Sequence, residues 1–373
     1  MQKALFASRL GFSALTFLTF LNLPGLAACS LSDPPLDALT DDSGLTAPFA
    51  PPPFGAAAEP PPPEAADGGE GPNATGPFVP YEGGAPVTGH LGADGGALSR
   101  LLFAAIGDTR PATVDDTNGY PVGVLTTIFA GIVGLRPSPP MVVSTGDYLF
   151  ASAARGAQNP QGAPQLDIYM QARARFQGAF FPAMGNHECT GATNSNCGAG
   201  ASNGEPPNYI AFVDKMLAPI GKPLPYYAID VSAQDGAWTS KFVFVAANAW
   251  SSAQEAWFES VMARPTTYTF VVRHEPTTAN TAPGVMPSQA VMARHPYTLA
   301  IVGHSHTYRH GRAHPREVLI GNGGAPLSSK DYGFGVFSQR ADGAIEVDML
   351  DWQTGRADAS FHFAVWPDGT AAP

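Results

Sequence analysis

Five short apolar runs in this chain end in the same way, and that repetition limits the fold more than any other feature. Leu101 to Ile106 stops at Gly107-Asp108. Met141 to Thr145 stops at Gly146-Asp147. Phe180 to Met184 stops at Gly185-Asn186-His187-Glu188. Tyr268 to Val272 stops at Arg273-His274, and Leu299 to Val302 stops at Gly303-His304-Ser305-His306. Short apolar runs bounded by turn residues read as buried strands. In α/β folds, functional groups collect at the carboxyl ends of strands. One Gly-Asp after a strand means little, because Asp is common in turns. Two Gly-Asp ends, one Gly-Asn-His-Glu, one His and one Gly-His-x-His, in that order, form a joint signal with metal-competent side chains at every end.

The segments between these runs fit an alternating chain. Val122 to Leu135 carries apolar residues at helical spacing and ends before Pro137. Stretches near Gln165 to Gln177 and Asn208 to Leu217 read as helices. Ala253 to Ala263 reads as an amphipathic helix opened by Ser251-Ser252 as N-cap. Tyr226 to Val231 and Lys241 to Ala247 read as strands. Val318 to Ile320, Gly333 to Gln339, Ile345 to Leu350 and Ala359 to Val365 read as closing strands.

Before residue 98 the pattern is absent. Residues 30–97 hold 14 of the 37 prolines, ten of the 31 acidic residues, and no Lys or Arg. A segment of this kind buries too little apolar area to offset its ordering entropy. Residues 29–97 are therefore expected to be a disordered Pro/Gly/Ala-rich acidic tether, and residues 98–373 the folded domain. A passive low-complexity insert predicts the same composition. The net charge of −11 belongs mostly to the tether, since residues 98–373 carry 21 acidic against 18 basic residues. No dense basic patch stands out, so no nucleic-acid partner is expected. A mean hydropathy of −0.03 excludes a polytopic membrane protein.

Taken together, Gly107-Asp108-Thr109-Arg110, Gly146-Asp147, Gly185-Asn186-His187-Glu188, Val271-Val272-Arg273-His274 and Gly303-His304-Ser305-His306 resemble the calcineurin-like metallophosphoesterase superfamily. The resemblance spans residues 101–325. Gln254 with Trp257 looks like the helix that precedes the His strand in that family. Gly321-Asn322-Gly323-Gly324 resembles the glycine turn of its purple acid phosphatase branch. The resemblance implies an α/β sandwich of two mixed β-sheets flanked by helices, and a phosphate-ester substrate. It implies two transition-metal ions, Fe, Mn or Zn, which suit carboxylate, imidazole and amide ligands. Asp147 would bridge them, Asp108 and His306 would complete the first site, and Asn186, His274 and His304 the second. A hydroxide between the ions would attack phosphorus, with phosphomonoesters favoured over diesters or nucleotides. His187 would face the phosphate or leaving group, with Glu188 orienting it.

Two departures stand out. Many relatives carry a first-site His two residues after the first Asp, where this chain has Arg110, which stays protonated and cannot ligate. Purple acid phosphatases supply a Tyr three residues after the bridging Asp, where this chain has Phe150; Tyr148 stands nearby. The first site is thus expected to have three protein ligands and no iron–tyrosinate colour. Arg110 is either a fork for phosphate oxygens or a structural arginine paired with an acid. A lipid-anchored metal- or phosphate-binding protein with little turnover is the alternative to an enzyme. Arg273, Arg309, Tyr308, His90, His295, His310, His314 and His362 are expected to lie outside the ligand set.

At the N-terminus, Lys3, Arg9 and the apolar run Leu10 to Leu23 form a secretory-signal pattern over residues 1–28; an uncleaved anchor helix is the other reading. Leu26-Ala27-Ala28-Cys29 resembles a bacterial lipoprotein lipobox, which implies lipidation at Cys29. The implied location is the bacterial envelope, on the outer membrane, with contact to the bilayer through that lipid. An exported Cys189 and Cys197 pair can close a small disulfide loop. A thiolate metal site is the other reading, although two cysteines at that spacing lack the usual partners.

Overall fold

The structure is a computed structural model that describes residues 84–154, 160–198, 204–328 and 331–373. Residues 1–28, Cys29 and residues 30–83 of the expected tether lie outside the described residues.

In chain order, the elements are β1 (Gly89–Gly92), β2 (Gly95–Leu98), β3 (Leu102–Ile106), α1 (Val122–Gly134), β4 (Met141–Ser144), α2 (Gly162–Ala172), β5 (Ala179–Pro182) and α3 (Pro207–Phe212). There follow β6 (Tyr227–Ala233), β7 (Thr239–Val245), α4 (Ser252–Ala263), β8 (Tyr268–Arg273), α5 (Val285–Met292) and β9 (Leu299–Val302). The last strands are β10 (Tyr308–His310), β11 (Glu317–Ile320), β12 (Gly333–Gln339), β13 (Ile345–Asp351), β14 (Ala357–Val365) and β15 (Ala371–Ala372).

They form two mixed sheets, ordered β1-β2-β6-β7-β8-β9-β11-β10 and β15-β14-β13-β12-β3-β4-β5. The inner strands β3, β4, β8 and β9 are buried throughout, which explains their unbroken apolar sequence: both faces are covered. Aromatic rings join the sheets. Phe103 of β3 meets Phe242 of β7 and Phe270 of β8 with ring centres 5.0 and 5.2 Å apart. On the outside, α1 turns the stripe Leu125, Ile128, Phe129 and Ile132 inward. Helices α4 and α5 cover a second apolar cluster on β7 and β8, built from Val243, Val245, Val271, Phe258, Met262 and Val291. Ser251 caps α4, its side chain accepting from the Gln254 N–H.

The start of the folded region needs correction. Residues 89–98, assigned above mostly to the tether, form the β1–β2 hairpin, and β2 runs parallel to β6 on the edge of the larger sheet. Strand pairing here rests on backbone contact rather than on apolar side chains, so composition concealed it. At Gly95 a Cβ would stand 1.8 Å from the Asp230 carbonyl oxygen, a fit open only to glycine. The Asp94 carboxylate, in the hairpin turn, pairs with the Lys222 ammonium. The helix α5 was also not anticipated; its Pro287 sits in the first turn, where proline is tolerated.

Candidate metal centre

Parallel pairing of β3, β4 and β5 brings Asp108, Asp147 and Asn186-His187 to one end of the smaller sheet. Parallel pairing of β8 and β9 brings His274, His304 and His306 to one end of the larger. The backbone bends sharply at these points. Asp108, Asp147, His304 and His306 have φ of 55°, 58°, 73° and 37°, and they are four of the five non-glycine residues with positive φ among the described residues. Such conformations cost of order 1–3 kcal/mol each and persist where surrounding structure enforces them. The motif glycines answer to the same crowding. A Cβ on Gly185 would lie 2.3 Å from Asp147 Oδ1, and one on Gly303 would lie 2.5 Å from Asp108 Oδ2. The Gly321 to Gly324 turn closes over the first motif: Gly323 N–H donates to the Gly107 carbonyl and Ala325 N–H to the Asp108 carbonyl, at 2.9 and 2.8 Å.

One group of donors is tight. His274 Nδ1 lies 2.9 Å from the Thr145 carbonyl, which fixes the proton there and turns Nε2 inward. That Nε2 lies 3.1 Å from Asn186 Oδ1, 3.3 Å from Asp147 Oδ2 and 3.3 Å from His304 Nδ1. His304 Nδ1 is 3.0 Å from Asn186 Oδ1. Asn186 Nδ2 donates to the Gly191 carbonyl, so Oδ1 must face the group. These separations match the roughly 3.0 Å edge of an octahedron with bonds of about 2.1 Å. Lone pairs thus converge on one point, and the donors suit a transition-metal ion.

The other group is looser. His306 Nδ1 lies 2.8 Å from the Pro326 carbonyl, and its Nε2 is 3.7 Å from Asp108 Oδ1. Asp108 accepts the His304 N–H at 3.0 and 2.9 Å. Ligand atoms of Asp108, Asp147 and His274, all buried, lie within 4.8 Å of one another.

The electrostatics call for positive charge. Burial, with the neighbouring Asp147 charge, raises the Asp108 carboxyl well above the usual range. Burial also works to raise Asp147, but His274, His187 and Arg110 outweigh it and hold that carboxyl well below its ordinary value. Burial opposes the charged form of His274, yet Asp147 and Asp108 prevail and push the imidazole well up.

His187 is buried beside this cluster. Its Nε2 lies 3.9 Å from Asp147 Oδ2 and has no hydrogen-bond partner among the described residues. Burial pulls the ring down to about 3, so it is neutral at ordinary pH. Arg110 is also buried, with Nε 3.8 Å from Asp147 Oδ2 and its guanidinium 4.6 Å from the centre of the Phe150 ring. The His187 ring meets Phe150 edge-on at 4.7 Å. Glu188 has a different task from the one expected. Its carboxylate accepts the N–H groups of Asp147, Tyr148 and Gly185 at 2.9, 2.8 and 2.8 Å, so it braces the loop carrying Asp147 rather than orienting His187. Burial and the Asp147 charge push Glu188 up to about 7 against those three bonds.

Tyr148 points into the core, where its hydroxyl donates to the Ala183 carbonyl at 3.1 Å. Arg273 binds Ser288 and the Glu275 and Val285 carbonyls. His295 pairs with Glu259, His362 with Asp348, and His310 stacks on Phe363. The sulfurs of Cys189 and Cys197 are bonded, with Cα atoms 5.9 Å apart. The loop they close contains Gly191, whose carbonyl orients Asn186. Sequence reasoning missed Thr145, Gly191 and Pro326, because each acts through a backbone carbonyl that any residue type could supply.

The calcineurin-like phosphoesterase family matches residues 102–308, more than half of the chain. Among solved structures, GAP50, the anchor in the inner membrane complex of Plasmodium, is 16% identical, covers 72% of this chain and 89% of its own, and gives a TM-score of 0.50. A purple acid phosphatase from yellow lupin (Lupinus luteus) seeds is 15% identical over 78% of this chain, with a TM-score of 0.51. The match spans 55% of that phosphatase. No curated protein sequence matches the chain. At these identities the structural likeness concerns the fold alone, whereas the sequence match carries the motifs themselves: the chain belongs to the calcineurin-like phosphoesterase family.

Proposed function

We propose that this phosphoester hydrolase acts on phosphomonoesters at a centre with places for two transition-metal ions. The observation that carries the reading is the convergence of Asp147, Asn186, His274 and His304 donor atoms, each fixed by a hydrogen bond or by a strained backbone. The bound ions would supply Lewis-acid polarisation of the phosphate and a more acidic water. Asp147 would stand between the two places, with Asp108 and His306 on one side and Asn186, His274 and His304 on the other. Arg110 would hold phosphate oxygens through its guanidinium. His187 would donate a hydrogen bond from Nε2 to the phosphate or the departing oxygen. As a neutral ring it brings no proton of its own to spare, and a phosphate dianion beside it is the charge that would restore one. In this reading, residues 1–28 direct export, Cys29 carries a lipid, and the acidic tether holds the catalytic domain off a bacterial envelope membrane. The support is the sequence pattern at each of these positions.

The test is turnover of 4-nitrophenyl phosphate against bis(4-nitrophenyl) phosphate by the purified protein loaded with Mn, Zn or Fe. Faster monoester cleavage, largely lost in His187→Ala with metal content kept, is expected. Bound metal without turnover on either ester would reverse the conclusion, and faster diester cleavage would reassign the substrate.

A further inference from the structure

The two halves of the centre are unequally furnished. On one side Asn186, His274 and His304 present donor atoms 3.0–3.3 Å apart, and Asp147 Oδ2 stands 3.3 Å from the His274 nitrogen. On the other, Asp108 and His306 share Asp147, and the His306 nitrogen stands 3.7 Å from the Asp108 oxygen. The family's usual further ligand is replaced there by Arg110. Its guanidinium is wedged in place: it lies over Phe150, donates to the Pro111 carbonyl at 3.3 Å, and keeps Nε near Asp147 with no hydrogen-bond partner among the described residues. A guanidinium does not shed its proton. Its Nε faces Asp147 Oδ2, the oxygen that His274 Nε2 also approaches at 3.3 Å, so its charge lies against the carboxylate that both places share.

An ion entering the looser place therefore has three protein donors, Asp108, Asp147 and His306, and meets a fixed positive charge beside the shared carboxylate. An ion in the tighter place has four protein donors. We propose that Arg110 makes the centre asymmetric: one ion is held tightly by Asp147, Asn186, His274 and His304, while the place at Asp108 and His306 binds its ion weakly because Arg110 supplies positive charge beside the shared Asp147 carboxylate and no fourth ligand. The inference rests on the reading that the centre binds transition metals, and it makes Arg110 a determinant of metal stoichiometry as well as a phosphate contact.

Metal-stripped protein would be titrated calorimetrically with Zn(II) and with Mn(II), and metal content measured after desalting. One equivalent should survive desalting, with the second bound about 100-fold more weakly, the scale expected when a site loses a supporting group. Arg110→His removes the fixed charge and restores a ligand, so it should retain two equivalents. Arg110→Lys keeps the charge and should retain one. His274→Ala should lose the tight equivalent, whereas His306→Ala should keep it. Two equivalents of like affinity in the wild type would overturn the proposal. So would one equivalent in an Arg110→His protein that melts like the wild type, or loss of the tight ion in His306→Ala. Should Arg110→His fail to fold, the two His→Ala variants decide alone. Turnover is read separately: one tight ion without phosphatase activity refutes the functional reading and leaves the asymmetry standing, while no binding of either metal refutes both.

Discussion

Gln254 offers a clean measure of how the fold supports the centre. Its side chain is fully buried and makes three bonds to the turn after β7. Oε1 accepts the Ala246 N–H at 2.9 Å, and Nε2 donates to the Ala246 and Ala249 carbonyls at 3.1 and 3.0 Å. That turn carries Asn248, whose amide donates to the Thr193 and Ser195 carbonyls at 2.8 Å each and so holds the disulfide loop. Gln254→Met keeps the volume and strands two buried backbone groups, the Ala246 N–H and the Ala249 carbonyl, since the Ala246 carbonyl keeps the Ala249 N–H at 3.2 Å. At about 1–3 kcal/mol for each group left without a partner, the full loss is about 2–6 kcal/mol, and local relaxation should bring it to about 2–4. Against a total stability of about 5–15 kcal/mol, that is a large fraction. At about 2 °C per kcal/mol for a domain of this size, Tm should fall by about 4–8 °C. Calorimetry of wild type and variant, both metal-free, gives the comparison. A Tm within about 2 °C of wild type would show that the turn holds itself, and the reasoning about stranded backbone groups would be refuted.

The disulfide and a buried lysine give further tests. Reducing Cys189–Cys197, or replacing Cys197 with Ser, should loosen the Gly191 carbonyl that orients Asn186 and weaken the tight metal by about tenfold, the lower end for a lost supporting contact. Competition with a chelator reads this, and unchanged affinity in protein whose Cys189–Cys197 bond is shown to be open would contradict it. Lys241 on β7 reaches the C-terminal end of α4, donating to the Val261 and Met262 carbonyls at 2.9 and 3.2 Å and to that of Arg264. Burial, with the Arg264 charge, pulls its ammonium down to about 8 from 10.5. Between those values the unfolded chain binds more protons, so this group makes stability rise with pH across the window and withdraws that contribution as pH falls through 8. Melts from pH 7.5 to 10.5 should show the rise in wild type and not in Lys241→Met; parallel curves would sink the assignment.

Much of this fold could be read from the sequence because the inner strands are covered on both faces and therefore unbroken in their apolar character. The strand ends were legible because Asp108, Asp147, Asn186 and His304 each follow a glycine that crowding demands; His274, after Arg273, was visible only by its place at the end of an apolar run. The β1–β2 hairpin could not be read, because its pairing is backbone to backbone and its glycines resemble those of the tether. The true partners of Glu188 were equally hidden: three amides from two different loops meet its carboxylate only after β4 and β5 pair. The carbonyls of Thr145, Gly191 and Pro326 leave no trace in residue identity. Arg110 and Phe150 were visible as departures from a pattern, but their stacking on each other required the structure.

The left-handed backbone at Asp108, Asp147, His304 and His306 has a consequence for how the chain can change. Asn and Gly adopt this conformation more readily than a β-branched or bulky residue does. Drift at these four positions is therefore channelled toward residues that keep the loops in shape while altering or deleting the donor. A glycine at His304 or His306 would relax the backbone, whereas at Asp108 or Asp147 the relief is offset by releasing the His304 and His187 N–H groups that those carboxylates hold. Catalytically silent descendants of this domain would be well folded, and their ancestry would show in the small residues left where the ligands had been.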